Sequence, residues 1–466
     1  MILNGLRTCM SNEQKIFILR SKREKINSVS PSFCTAKWLQ TTLYLQNGYN
    51  HSCHHPSPHK IPLDEIKNNP SALNNSNFKK EQRATMIRGE RPSECDYCWK
   101  IEDLGKDYFS DRHYKTADYW AWDRFDEIAN RNPYDDIYPS YLEVSFSNAC
   151  NLKCSYCSPE ISSKWLEEIN QHGPYPIPES NQDIEWYKKV GRYPYRHSDD
   201  NPYVEAFWKW FPDALPHLKV FRITGGEPLM SRDTWRVFEY IRNNPQPDLE
   251  LAVNTNLVVE EKLIDRFISE INGITTKVKK IDIYTSLESV GEQAEYSRYG
   301  LNYDYWIKNV KQCLEQTDCT VSVMTTINIL SLPTFSQFVE LIMQLRCEYN
   351  KTMDTNRIPM SINYLRWPAH LSVKLLPNSM REDYGNKILG VSESWLKYYR
   401  KHQFSRLYLE EWDQIKRFCD YLTQDEDIGQ SRKYFVRYIK EYDSRRGTDF
   451  FKTFPEFAHF LREWDA

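Results

Sequence analysis

The sequence predicts an α/β protein: an open, partial barrel of six βα units, preceded by a small cysteine-rich α+β domain and followed by a helical carboxyl-terminal region. Three observations carry this reading. From Tyr141 onward, strand-like runs alternate with helix-like runs. Cysteines gather at short spacings in two separate places. Beyond Pro377 the strand signal stops and long aromatic-rich helical patterns take over.

The candidate strands are 142–146, 218–223, 249–254, 281–285, 321–327 and 361–365. Between them stand segments such as "RDTWRVFEYIRNN", "EEKLIDRFISEI", "YDYWIKNVKQCLEQ" and "FSQFVELIMQLRCEY", each with apolar residues at helical spacing. Parallel strands joined by helical crossovers close toward a barrel, whose chemistry sits on the loops at the carboxyl ends of the strands. Six units fall short of the roughly eight of a closed barrel, hence the open form. The first unit is interrupted over 171–216 by proline-rich, aromatic text including "GPYPIPES" and "GRYPYRHSDDNPY", where no regular element is expected. A surface insertion and a lid or docking segment are both open readings of it. The resulting plan is a polar extension over 1–30, the cysteine-rich domain over 31–135, the barrel over 136–376 and helices over 377–466, the last packing on the barrel.

Composition narrows the function classes. Hydrophobic residues at 40% and aromatics at 14% of 466 residues supply a sizeable core. With 61 basic against 64 acidic residues the net charge is -3, so there is no electrostatic footprint of a general nucleic-acid or anionic-membrane binder. No apolar run approaches a membrane span, and the opening "MILNGL" lacks the form of a secretory signal, so a cytoplasmic protein is expected. Twelve cysteines, clustered and without a secretory signal, point to metal ligation more than to a disulfide framework. Cys9, Cys313, Cys319, Cys347 and Cys419 lie outside the clusters and read as buried or free thiols.

The stretch "SNACNLKCSYCSP" puts Cys150, Cys154 and Cys157 in one loop after the first barrel strand. Structural zinc takes four protein ligands, and catalytic zinc usually mixes histidine or carboxylate with its thiolates. Soft thiolates suit iron–sulfur clusters, and a cubane held by three cysteines leaves one iron open for a small molecule. This C-x3-C-x2-C spacing, with Tyr156 before the third thiol, resembles the signature of the radical S-adenosylmethionine (SAM) superfamily. Other motifs agree in strand order. "RITGGEPL" at the end of the second strand resembles the family's GGE motif, which implies that Gly225, Gly226 and Glu227 take the amino group of bound SAM. "YTSLES" at the end of the fourth resembles the ribose motif, with Ser286 and Glu288 for the sugar hydroxyls. "EYSRYG" supplies Arg298 for the methionine carboxylate, and the backbone of Tyr156 would contact adenine. Taken singly, these residues also read as turn glycines, a helix-starting acid, a surface charge and a packing ring.

The resemblance further implies the partial six-unit barrel itself, and a 4Fe–4S cluster and SAM as cofactors. Reductive cleavage of SAM would give methionine and a 5'-deoxyadenosyl radical that abstracts hydrogen from substrate, with a flavodoxin or ferredoxin as the expected electron donor. No general acid or base is legible, so no catalytic side chain is named.

A second cysteine set comprises Cys34, Cys53, Cys95 and Cys98. Between the first two, "TTLYLQNG" reads as a strand entering a hairpin, with Gly48 supplying the turn. The spacing resembles the C-x(9–15)-G-x4-C opening of SPASM and twitch domains, and the later C-x2-C would complete four ligands for one auxiliary 4Fe–4S cluster. Here that domain precedes the barrel, whereas in most relatives it follows. Structural zinc is the alternative, since His54, His55 and His59 stand beside Cys53. The resemblance spans about residues 34–367 and implies a peptide or protein side chain as substrate. A small alcohol or sugar-type metabolite is the alternative substrate, and a non-enzymatic metal-binding scaffold the rival class.

Overall fold

The computed structural model describes residues 12–178, 183–196, 199–350, 356–398, 407–426 and 429–465. Cys9 and the "MILNGL" opening lie outside these, as do parts of the 171–216 insertion and residues 399–406 of the carboxyl-terminal helical pattern. The chain is a mixed α/β protein with a parallel sheet core. Its strands are β1 Gln40–Tyr44, β2 Tyr49–His51, β3 His59–Lys60, β4 Tyr141–Ser145, β5 Lys153–Cys154, β6 Val220–Thr224, β7 Gln246–Asn254, β8 Val278–Ser286, β9 Arg298–Tyr299, β10 Thr320–Met324 and β11 Met360–Ser361. Two compact units result, and they do not follow the linear order of the chain: 1–147, 190–252 and 276–280 form the first, and 148–189, 253–275 and 281–466 the second.

In the first unit the strand order is β6-β4-β1-β2-β3. β4 pairs parallel with β6 on one side and with β1 on the other, Glu143 lying opposite Arg222 and Thr42. β1 then turns back antiparallel into β2, as the hairpin reading expects. Gly48 closes the turn at φ +70°, its N–H donating to Tyr44 O at 2.7 Å, and the Tyr203 ring fills the space a Cβ would need. One sheet face carries Leu43, Leu142, Val144, Phe221 and Ile223, all fully buried, which is what drives these runs into a covered sheet. The cysteine-rich segment has a core of Phe33, Trp38, Met86, Trp99, Trp120 and Phe125. Each such side chain contributes about 1.5–3 kcal/mol by leaving water.

The second unit has β11-β10-β8 in order, all parallel. Its helix Glu261–Ile274 buries Ile264, Phe267, Ile268 and Ile271, the helical spacing read in the sequence. The last strand is shorter than expected. β11 ends at Ser361, but parallel bonding continues as Thr325 N–H to Ser361 O at 3.0 Å and Ile327 N–H to Asn363 O at 2.9 Å. The insertion differs from expectation, because helices form at Ile184–Lys189 and Pro202–Ala214. Pro202 sits in the first turn, where its missing N–H costs nothing, and the Asn201 side chain accepts from Tyr203 N–H and Val204 N–H. No helix among the described residues is long and apolar enough to cross a membrane.

Candidate active site

Cys150, Cys154 and Cys157 lie together on one loop of the second unit, Cys150 buried and the other two partly so. Local bonds dictate its shape. Ser163 Oγ bridges Cys150 N–H at 3.1 Å and Cys150 O at 3.2 Å, and Ser162 Oγ donates to Leu152 O at 2.7 Å while capping helix Ser163–His172. Cys157 N–H closes back on Cys154 O at 2.9 Å. β5 pairs antiparallel with β9, which sets Cys154 directly opposite Arg298. The guanidinium donates toward Cys154 Sγ at 3.8 Å. Burial pushes the Cys154 thiol up, partly countered by the Arg298 charge, and Cys157 rises to about 12 for the same leading reason.

Arg298 and Glu288 are brought together, which the sequence did not foretell. Their side chains meet through Nε to Oε1 at 3.0 Å and Nη2 to Oε2 at 2.5 Å. Tyr156 Oη lies 3.4 Å from Glu288 Oε1, and Thr326 N–H donates to Oε2 at 3.3 Å. Glu288 is 0% exposed and Arg298 4%. Ser286 ends β8 two residues before this carboxylate.

The glycine motif belongs to the first unit. Gly225 follows β6 with φ +121°, and a Cβ there would lie 2.6 Å from Ser145 Oγ and 3.0 Å from Ser147 O. Gly226 N–H donates to Ser147 O at 3.3 Å. Glu227 is buried, and its Oε1 accepts from Leu229 N–H at 3.0 Å.

The amino-terminal thiols also lie within the first unit. Cys34 precedes helix Ala36–Leu39, Cys53 follows β2, Cys95 caps helix Asp96–Glu102 and Cys98 lies in its first turn. Burial raises all four, Cys53 to about 12 and Cys95 to about 11, and the negative charge of Cys34 adds to the rise of Cys53, Cys95 and Cys98. Lys37, not singled out in the sequence, is buried beside them, paired with Glu94 and hydrogen-bonded to Cys95. Of the nearby histidines, His55 Nε2 meets Asp111 at 2.7 Å and stacks on Tyr97 at 3.7 Å, while His59 packs on Phe78.

The fit of each set to a metal group rests on donor chemistry. Three soft thiols with a buried cation at one of them suit a cluster that adds net negative charge, and a mixed oxygen–nitrogen site would need other donors. Among the described residues, no three or more His, Cys, Asp or Glu side chains form a group placed to hold a metal ion.

Residues 144–342 match the profile described as the Radical SAM superfamily. Curated relatives include the GTP 3',8-cyclase of Nautilia profundicola, 27% identical over 116 residues, or 25% of this chain and 27% of that protein. The GTP 3',8-cyclase of Sulfurovum sp. is 27% identical over 136 residues, 28% of this chain and 32% of that protein. The match thus spans a third or less of these relatives' length. Among solved structures, Streptococcus suis SuiB bound to S-adenosylmethionine aligns at TM-score 0.31 and 16% identity, over 71% of this chain and 60% of that one. SuiB in a second crystal structure aligns at TM-score 0.35 and 15% identity, over 73% and 61%. The three-thiol loop, the GGE turn and the Glu288–Arg298 pair all fall inside the matched span, and the chain carries a radical SAM domain.

Proposed function

We propose that this protein is a cytoplasmic radical SAM enzyme that abstracts hydrogen from a peptide or protein side chain, with an auxiliary 4Fe–4S cluster in its amino-terminal twitch-like domain. The observation that carries the reading is the loop of Cys150, Cys154 and Cys157 with Arg298 at the second thiol, inside the matched span. When bound, a three-thiolate 4Fe–4S cluster supplies the electron that splits SAM into methionine and a 5'-deoxyadenosyl radical. The chain's own residues do the rest. Gly225 and Gly226 keep the turn after β6 free of side chains for the amino group of SAM, and Glu227 lies beside them. Ser286 and Glu288 are assigned to the ribose hydroxyls and Arg298 to the methionine carboxylate, Glu288 holding the guanidinium in place. The Tyr156 ring faces the Arg298 guanidinium at 5.5 Å. The second donor set, Cys34, Cys53, Cys95 and Cys98, is assigned to the auxiliary cluster, which can accept the second electron of a two-electron oxidation. A flavodoxin or ferredoxin is the proposed donor.

A second reading, oxidation of a small alcohol or sugar-type metabolite, is favoured by relatives named for a reaction of GTP, itself a small molecule carrying a sugar. Deuterium transfer separates the two. Reconstituted enzyme is offered a deuterated peptide fraction or a deuterated small-metabolite fraction. Label recovered in 5'-deoxyadenosine from the peptide fraction supports the first reading, and label from the metabolite fraction the second.

A further inference from the structure

Three consecutive backbone carbonyls of the thiol loop are each taken by a buried donor from elsewhere in the second unit. Arg446 Nη1 donates to Lys153 O at 2.8 Å, Trp165 Nε1 to Cys154 O at 2.8 Å and Tyr438 Oη to Ser155 O at 2.7 Å. Two of these donors stand on one helix, Gly429–Arg446, which lies beyond the matched span. The helix is itself anchored to the loop's surroundings. Arg446 pairs with Glu168 through Nε and Nη2, both at 3.1 Å, and Glu168 also holds Lys153 Nζ at 2.5 Å. Tyr442 Oη donates to Tyr296 O at 2.5 Å, and Tyr299 Oη to Arg446 O at 3.1 Å, so the same helix grips both sides of Arg298.

A phenol and a guanidinium placed in a dry interior need matched partners, and a buried carbonyl without a donor is costly. Here the matches fall on the backbone on either side of the second thiol, at Lys153 and Ser155. We infer that Tyr438 and Arg446 are positioning residues, which fix the loop from Lys153 to Ser155 so that Cys154 and Cys157 present their sulfurs in one arrangement before any metal arrives. Packing alone does not require this: the Tyr438 ring stacks on Tyr175 at 4.9 Å, and a phenylalanine would pack there equally well. The hydroxyl is what reaches the loop.

The inference rests on the reading of this loop as the cluster ligand, and the test keeps the two apart. In metal-free protein, Tyr438→Phe and Arg446→Lys are each expected to speed amide hydrogen exchange over 153–157 about tenfold, the scale of one lost buried hydrogen bond. Exchange in helix Phe335–Tyr349 should stay at the wild-type rate. In reconstituted protein, Tyr438→Phe should shift the electron paramagnetic resonance signal of the reduced cluster, because the thiolates no longer hold one geometry. Loop exchange unchanged in both variants, an increase spread evenly to Phe335–Tyr349, or an unshifted signal would overturn the inference. A wild type that takes up no iron at Cys150, Cys154 and Cys157 defeats the cluster reading instead, while faster loop exchange in the variants would still show the clamp.

Discussion

Glu288 and Arg298 meet in a two-point ion pair, with Nε–Oε1 at 3.0 Å and Nη2–Oε2 at 2.5 Å, and neither side chain reaches solvent appreciably. The fork geometry needs a carboxylate on one side and a planar guanidinium on the other. Breaking one partner leaves the other charged and dry. Glu288→Gln is therefore expected to destabilise the protein by about 3–5 kcal/mol in urea unfolding. The double variant Glu288→Leu/Arg298→Met should recover much of that loss while abolishing SAM binding.

Gly225 is fixed by two constraints at once, a φ of +121° and the neighbours Ser145 Oγ and Ser147 O. Gly225→Ala should lower stability by about 1–3 kcal/mol from backbone strain alone. Thermal unfolding checks it. Adding Ser145→Ala clears the nearer contact but should restore only part of the loss, since the backbone angle stays unfavourable.

His370 is buried against the Tyr438 ring, and burial lowers its pKa to about 4 from an ordinary value near 6.5. The folded state thus refuses a proton that the unfolded chain accepts between about pH 6.5 and 4. Stability from this residue is fully present above that window and is lost as pH falls through it. Between pH 7 and 5 the loss amounts to about 2 kcal/mol. Urea midpoints of wild type and His370→Phe at both pH values should show the variant's slope shallower by that amount.

The amino-terminal thiols predict a metal count. Anaerobically reconstituted wild type should hold about eight irons, and the double variant Cys95→Ala/Cys98→Ala about four. A wild type with about four irons and one zinc would assign Cys34, Cys53, Cys95 and Cys98 to zinc.

Much of this was legible in the sequence, because period and spacing are local properties. All six expected barrel strands form within a few residues of their expected bounds, and the hairpin at Gly48 closes as its turn chemistry requires. What escaped was long-range. Nothing in "TTLYLQNG" says that β1 joins β4 in parallel register, since a polar-faced strand does not name its neighbour. The placing of Arg298 opposite Cys154 needs β9 to lie antiparallel to β5, a two-residue ribbon too short for any periodic signal. Lys37 and Glu94 stand 57 residues apart and become a part-buried pair only through the fold. The helix at Pro202 was masked by its prolines, although Asn-Pro before an apolar run is a helix start as much as a loop mark.

The central claim is that three thiols leave one iron free to bind and reduce SAM. Its most direct measurement is 5'-deoxyadenosine formed when anaerobically reconstituted protein receives SAM and a strong reductant. Wild type should release it, and Cys154→Ala should not. A wild type that carries its full iron at Cys150, Cys154 and Cys157 yet releases none, with a cluster spectrum unmoved by SAM, would contradict the account.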